Sequence, residues 1–181
     1  MLIEELTTQA SLELLARTRL GKLACARGPQ PYVVPFYFAY YHDYLYSFTT
    51  VGQKIEWMRT NPLVCVEVDE VMSPHKWESV IVFGHYEELH DAHDRDFAWK
   101  LLQQYSTWWE PGYAKTILHS KERRLEPIFY RIYIDRVTGH RATLDPAVPP
   151  HTGLSMTDVG EVRRLQRVLR LVQGKLRRPS R

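Results

Sequence analysis

The chain has 181 residues, 44% hydrophobic and 25% charged, with a formal net charge of +3. That mixture excludes disorder as the main state, because there is ample apolar surface to bury, and the length fits one domain with an appendage. No apolar run reaches the ~18–20 residues of a membrane-spanning helix, and the two cysteines make neither a disulfide framework nor a four-thiolate metal site.

The start, Met1-Leu2-Ile3-Glu4-Glu5, is acidic and lacks the basic and apolar regions of a signal peptide. The expected location is therefore cytoplasmic. The charge is split along the chain. Residues 161–181 hold eight basic residues against one acidic, a net of +7, while residues 1–160 hold 16 basic and 20 acidic, a net of −4. The basic pI belongs to the tail, so nucleic acid ranks last among partners of the body, and no membrane partner is expected.

Thr8 is expected to cap a first helix near 9–18, with Leu12, Leu15 and Arg19 at helical spacing. A strand follows over 21–26, and Gly28-Pro29 marks a turn. Residues 32–41, β-branched and aromatic, read as a strand. His42-Asp43 turns it into a second strand over 44–49. Pro35 removes a ladder donor, which places it at an edge, a bulge or a ligand-facing break. A short helix is expected near 53–60, closed by Asn61-Pro62. Residues 63–71 and 77–89 read as strands around a loop at 72–76. Asp91 opens a helix over 92–106 with the stripe Phe97, Leu101, Leu102 and Tyr105. Residues 127–143 form a final long strand. Prolines 146, 149 and 150 mark a linker over 146–156, followed by a basic amphipathic C-terminal helix and tail over 157–181.

Hairpin-like connections and six strands with few helices predict a mainly β fold, a small closed or partly open six-stranded antiparallel barrel within residues 1–145. Alternating βα units are absent, which argues against a doubly wound sheet.

The most informative stretch is Phe48-Thr49-Thr50-Val51-Gly52-Gln53-Lys54, between a strand and a helix. A helix start carries free N–H groups and partial positive charge. Thr49 and Thr50 offer hydroxyls, Gly52 permits close backbone approach, and Lys54 adds a full charge. Together they make a phosphate cradle, although neither a Walker loop nor a dinucleotide fingerprint. A capped helix with a solvated lysine fits the same residues. The strand with Pro35 has two readings as well: an edge strand, or a strand whose lost ladder bond frees backbone groups for a ring system.

Taken in order, Gly21-Lys22-Leu23-Ala24, Pro31-Tyr32-Val33-Val34-Pro35, Leu45-Tyr46-Ser47-Phe48-Thr49, Gly52-Gln53-Lys54, Asn61-Pro62-Leu63-Val64-Cys65-Val66-Glu67-Val68 and Trp77-Glu78-Ser79-Val80-Ile81-Val82-Phe83-Gly84 resemble the pyridoxamine 5′-phosphate oxidase-like flavoproteins. The resemblance covers about residues 10–143 and looks closest to the nitroimidazole-reductase-related branch. It implies an FMN-binding split β-barrel with the flavin at a homodimer interface. It places Val34, Pro35, Phe36 and Tyr37 beside the flavin ring. It gives the phosphate to Thr49, Thr50, Gly52 and Lys54, with Gln53 between the last two. Ser79 and Val80 match the strand that flanks the ring from the other side.

The implied activity is an FMN-dependent oxidoreductase, taking electrons from an NAD(P)H-type donor and acting on a small planar or nitro-type substrate. The rivals are a non-catalytic flavin sensor or store, and a related split barrel using heme or a deazaflavin. Two departures bear on the activity. Gln53 stands where the nitroimidazole branch usually has a histidine, and glutamine cannot titrate. The C-terminal arginine-rich motif of true pyridoxamine phosphate oxidases is not recognisable. No catalytic acid stands out.

Trp108 and Trp109 suit either a cover over the flavin or a plug at an interface, and Trp109 is taken here as cofactor-binding. His90 and His93 straddle a strand–helix junction at no standard ligand spacing, so no metal is expected. His75 reads as a surface residue. Cys25 and Cys65 fall in strands with apolar neighbours and read as buried inert thiols; a redox pair is open only if the two strands adjoin.

Overall fold

Alternation along the strands builds the molecule. In the computed structural model, which describes residues 1–104, 116–118, 121–123 and 127–144, strand β1 (Leu2–Glu5) is followed by helix α1 (Thr8–Arg17). Strands β2 (Leu20–Arg27), β3 (Gln30–Tyr37), β4 (Ala39–Tyr41) and β5 (Tyr44–Thr50) come next. Helix α2 (Gln53–Thr60), strands β6 (Leu63–Ser73) and β7 (Lys76–Glu88) and helix α3 (Ala92–Gln103) follow. The short pair β8 (Thr116–Leu118) and β9 (Lys121–Arg123) precedes the long β10 (Pro127–Thr143). The expected linker, the basic tail and the segment Trp108–Gly112 with Trp109 lie outside the described residues, as does Tyr105.

All pairings are antiparallel, in the order β3-β2-β6-β7-β10-β5-β4, with β1 added along the end of β10. β3 and β4 are two halves of one bent strand, joined at Phe38, whose N–H bonds to the Arg19 carbonyl at 2.9 Å. The first half pairs with β2 and the second with β5. That bend closes six strands into a barrel, as the sequence predicts. The break falls at Phe38 and not at Pro35, which sits inside β3 opposite Lys22. β3 has no second ladder partner among the described residues, so the missing proline N–H is tolerated at an edge.

The barrel interior takes alternate side chains. Leu23 and Cys25 of β2, Phe36 of β3, Val64, Val66 and Val68 of β6, Val80, Val82 and Tyr86 of β7, and Tyr130 and Ile132 of β10 form one buried cluster. Helix α1 closes one end with Leu14 and Leu15; α2 closes the other with Ile55 and Met58. The two ends follow from β7: Arg17 of α1 meets Glu78, while Arg59 of α2 meets Glu88. Ten residues of strand separate those contacts, about 33 Å. Helix α3 lies outside the barrel. Its Ala98, Leu101 and Leu102 cover Tyr37, Tyr46 and Phe129 in a second cluster.

Three expectations shift. The cap of α1 is Thr7, not Thr8; the Thr7 hydroxyl accepts from the Ala10 N–H at 3.2 Å, one residue earlier in the same hydroxyl pair. The helix ends at Arg17, so Arg19 belongs to the turn into β2. β1 was not expected, because four residues with exposed side chains carry no periodic signal; it exists by pairing with β10 from Leu2↔Thr143 to Glu5↔His140. No helix among the described residues is long and apolar enough to cross a membrane.

One ion cluster ties α1 to the barrel. Glu78, 8% exposed, accepts from Arg17 at 2.5 Å and from Arg141 at 2.6 Å, and Arg17 also holds Glu70 at 3.1 Å. Burial pushes the Glu78 carboxyl up, but the bonds and charges of Arg141 and Arg17 outweigh it and leave it below its ordinary 4.5. The unfolded chain therefore binds that proton first as pH falls. The contribution of Glu78 is full above 4.5 and is lost as pH drops through the folded-state value. Denaturant melts between neutral and acid pH check this: Glu78→Gln should be less stable at neutral pH and show a flatter acid limb.

Candidate functional site

The N-terminus of α2 is built differently from those of its neighbours. Thr7 caps α1 and Asp91 caps α3 through their side chains, whereas Gly52 at the start of α2 makes no side-chain cap bond. The Gly52 carbonyl accepts from Ile55 and Glu56, which leaves the N–H groups of Gln53 and Lys54 without intrahelical partners. Gly52 has extended backbone, φ −175°, which any residue adopts. A Cβ there would meet nothing closer than the Thr50 carbonyl at 4.0 Å. The fold thus leaves open space at the very position where the chain carries no side chain.

Lys54 of α2 is half-buried and within electrostatic reach of Cys25 on β2, and burial lowers its ammonium below the ordinary value of 10.5. Among the described residues no carboxylate pairs with it. An unpaired, desolvated cation is costly unless an anion joins it. Thr49 and Thr50 end β5 at this same barrel end, half-buried and paired with Ile128 and Pro127. Gln53 is exposed. The helix itself is pinned: Arg59 grips Glu88 through two bonds of 2.8 Å, and the Tyr86 hydroxyl donates to the same carboxylate at 2.8 Å.

A cavity of about 460 Å³ lies on the outer surface of β2, β3 and β6, lined by Leu20, Gly21, Lys22, Val33, Val34, Pro35 and Asp69. Its walls are mostly apolar, with one ion pair on the rim. Tyr32, opposite Cys25, marks the Lys54 end of β3. Pro35 lies three residues further along, about 10 Å at the rise of an extended strand. The edge strand thus connects the anion-poor lysine to an apolar cavity.

The residues expected at the site divide into groups. Val34 and Pro35 line the cavity. Phe36, Tyr37 and Val80 are buried side chains of the two cores, so only their backbone is available to a ligand. Thr49, Thr50, Gly52, Gln53 and Lys54 gather at the α2 end. Ser79 is on the same outer face as the cavity but on β7, three strands across from Pro35 and two residues along, about 16 Å over the sheet. A single chain therefore does not bring Ser79 and Pro35 to opposite faces of one ring.

The polar rim carries no functional signature in the sequence. Lys22, Glu67 and Asp69 come together there from β2 and β6. Opposite charges at outward positions of two strands were the signal, readable only once the register Lys22↔Glu67 is known. The cysteine condition is half met. β2 and β6 adjoin, with Ala24 opposite Cys65, but Cys25 points into the barrel and Cys65 to the outside. Asp91, His93 and Asp94 cluster at the start of α3, where the Asp91 carboxylate already accepts the His93 N–H at 2.8 Å as a helix cap.

Comparison with known proteins places this geometry. Residues 7–141 match the family model described as pyridoxamine 5′-phosphate oxidase. The chain belongs to that family. A relative in Rhizobium meliloti, known only as uncharacterized protein RA0666, is 37% identical over 146 residues, 78% of this chain and 97% of its own. The crystal structure of an FAD-binding protein from Mesorhizobium loti is 41% identical, with a TM-score of 0.66 over 80% of this chain and 99% of that one. A protein assigned to 5-nitroimidazole antibiotic resistance in Bacteroides thetaiotaomicron aligns with a TM-score of 0.58 over 78% of this chain and 89% of that one. At 19% identity that last likeness is one of fold.

Proposed function

We propose that the chain binds FMN and is an oxidoreductase acting on a small planar or nitro-type substrate. The observation that carries the reading is Lys54: a half-buried cation without a carboxylate partner among the described residues, at an uncapped helix start, about three residues of strand from an apolar cavity. A terminal phosphate fits that place. It would supply the missing counter-charge, take the free N–H groups of Gln53 and Lys54, and reach the hydroxyls of Thr49 and Thr50. A ring system fits the cavity beside Val34 and Pro35, on the edge of β3 that has no ladder partner among the described residues. The 41% identical relative is an FAD-binding protein, which supports a flavin in the same fold.

When bound, a flavin accepts electrons as hydride or singly. The residues of this chain bind, orient and exclude water. Arg59 and Glu88 tie the last turn of α2 to β7. Leu20, Val33, Val34 and Pro35 make the ring site apolar. Ser79 reaches the site from a second copy in this reading, because it stands about 16 Å from Pro35 within one chain. The flavin would then lie at a homodimer interface, with an NAD(P)H-type donor entering from solvent.

A specific observation favours a second reading, a flavin-binding protein without turnover. Gln53 is the exposed residue next to the cradle and cannot donate a titrating proton. Absorption spectra of the purified protein, before and after adding FMN, test the cofactor. Extraction of the bound flavin separates FMN from FAD. Reduction by NAD(P)H and reoxidation by a nitroaromatic or quinone acceptor separate the enzyme from the passive binder. Protein that stays colourless and takes up no FMN overturns the proposal.

A further inference from the structure

The rim of the cavity has a charge balance that the binding reading leaves unused. Lys22 Nζ pairs with Glu67 at 3.0 Å and with Asp69, and Ser79 donates to Glu67 at 3.5 Å. One ammonium against two carboxylates leaves the cluster at −1. Lys22 and Asp69 line the cavity, whereas Glu67 does not and is shared with Ser79. Two opposite charges therefore face one apolar, ring-sized space. We propose that Lys22 and Asp69 set the redox poise of a flavin held in this cavity, Lys22 favouring the reduced ring and Asp69 opposing it.

The inference rests on the flavin reading above. Two-electron reduction with uptake of one proton leaves the ring system one unit more negative. A cation on the cavity wall stabilises that product and a carboxylate destabilises it. Lys22 stays charged for this role: its hydrogen bonds to Asp69 and Glu67 outweigh a small burial penalty and raise its pKa above 10.5. The four apolar neighbours, Leu20, Val33, Val34 and Pro35, displace water and strengthen both interactions. Half-exposed side chains, 51% for Lys22 and 31% for Asp69, keep the effect moderate and sensitive to salt.

The test loads wild-type protein, Lys22→Met, Lys22→Arg and Asp69→Asn with FMN. Each is titrated with dithionite against a reference dye, and the midpoint potential is read from the spectra. Lys22→Met should shift the preference for the reduced ring down about tenfold, which is ~30 mV for a two-electron couple. Asp69→Asn should shift it up by a similar factor, and Lys22→Arg should stay near wild type. Potentials that do not move in variants that bind FMN, or that move in the same direction in Lys22→Met and Asp69→Asn, overturn this inference alone. Wild-type protein that takes up no FMN overturns the flavin reading and this inference with it.

Discussion

Replacing Lys54 by methionine is expected to weaken FMN binding by roughly 10- to 150-fold, about 1.5–3 kcal/mol for a lost charge-assisted bond. The same change should leave the ligand-free protein as stable as before, or more so. Lys54 is desolvated and has no carboxylate partner among the described residues, so its charge is a cost to the empty fold. The pH dependence follows with a definite sign. The unfolded chain holds the Lys54 proton up to its ordinary value of 10.5, and the folded apo chain releases it earlier. The unfolded state binds more protons between the two values, so apo stability rises with pH through that window. Lys54→Met should abolish that rise. Riboflavin, which lacks the phosphate, should bind the variant and wild type alike. Equal FMN affinity in both proteins would refute the phosphate role of Lys54.

Gly84→Ala is expected to destabilise the barrel by about 3 kcal/mol or more. A Cβ at this position would stand 2.1 Å from the Tyr133 carbonyl oxygen and 2.9 Å from Ile132 Cγ2. The carbonyl belongs to the partner strand and cannot rotate away. β7 and β10 would have to separate beside the irregularity between Ile134 and Arg136, in the longest ladder of the sheet. Equilibrium denaturation reads the loss; a variant within ~1 kcal/mol of wild type contradicts the close approach. Gly52→Ala is the informative contrast. Its space is open and its φ needs no glycine. Stability should change little there, while FMN affinity falls, because the new methyl occupies the cradle and not the fold. A glycine kept for the fold and a glycine kept for a ligand are thus separated by two measurements.

The different legibility of these residues has a physical basis. Alternation in Leu23-Ala24-Cys25 and Val64-Cys65-Val66 sets which face is core before any partner strand is known, because side-chain direction has a period of two. Turn chemistry at Gly28-Pro29 and His42-Asp43, and the stop at Asn61-Pro62, act over a few residues. Element bounds for α2 and for β10 are therefore right to the residue. The cradle was legible for the same reason: strand end, hydroxyls, helix start and lysine are contiguous.

What required the tertiary structure is whatever depends on distant segments. The bend at Phe38 is set by the Arg19 carbonyl, nineteen positions earlier. β1 has no signal of its own and exists only as a partner of β10. That the strands carrying Cys25 and Cys65 adjoin, with Ala24 opposite Cys65, is decided by the pairing of β2 with β6. Lys54 reads from sequence as equally fit for solvent or ligand; only the packing of α2 against β2 desolvates it. Lys22 and Asp69 are ordinary surface charges in one dimension, and face one cavity only when β2 pairs with β6. Local sequence thus determined the helices, the six barrel strands and the composition of the cradle, because those respond to neighbours within a turn or a pleat. Burial, register and charge proximity were decided by the closed barrel, because each depends on which distant backbone lies alongside.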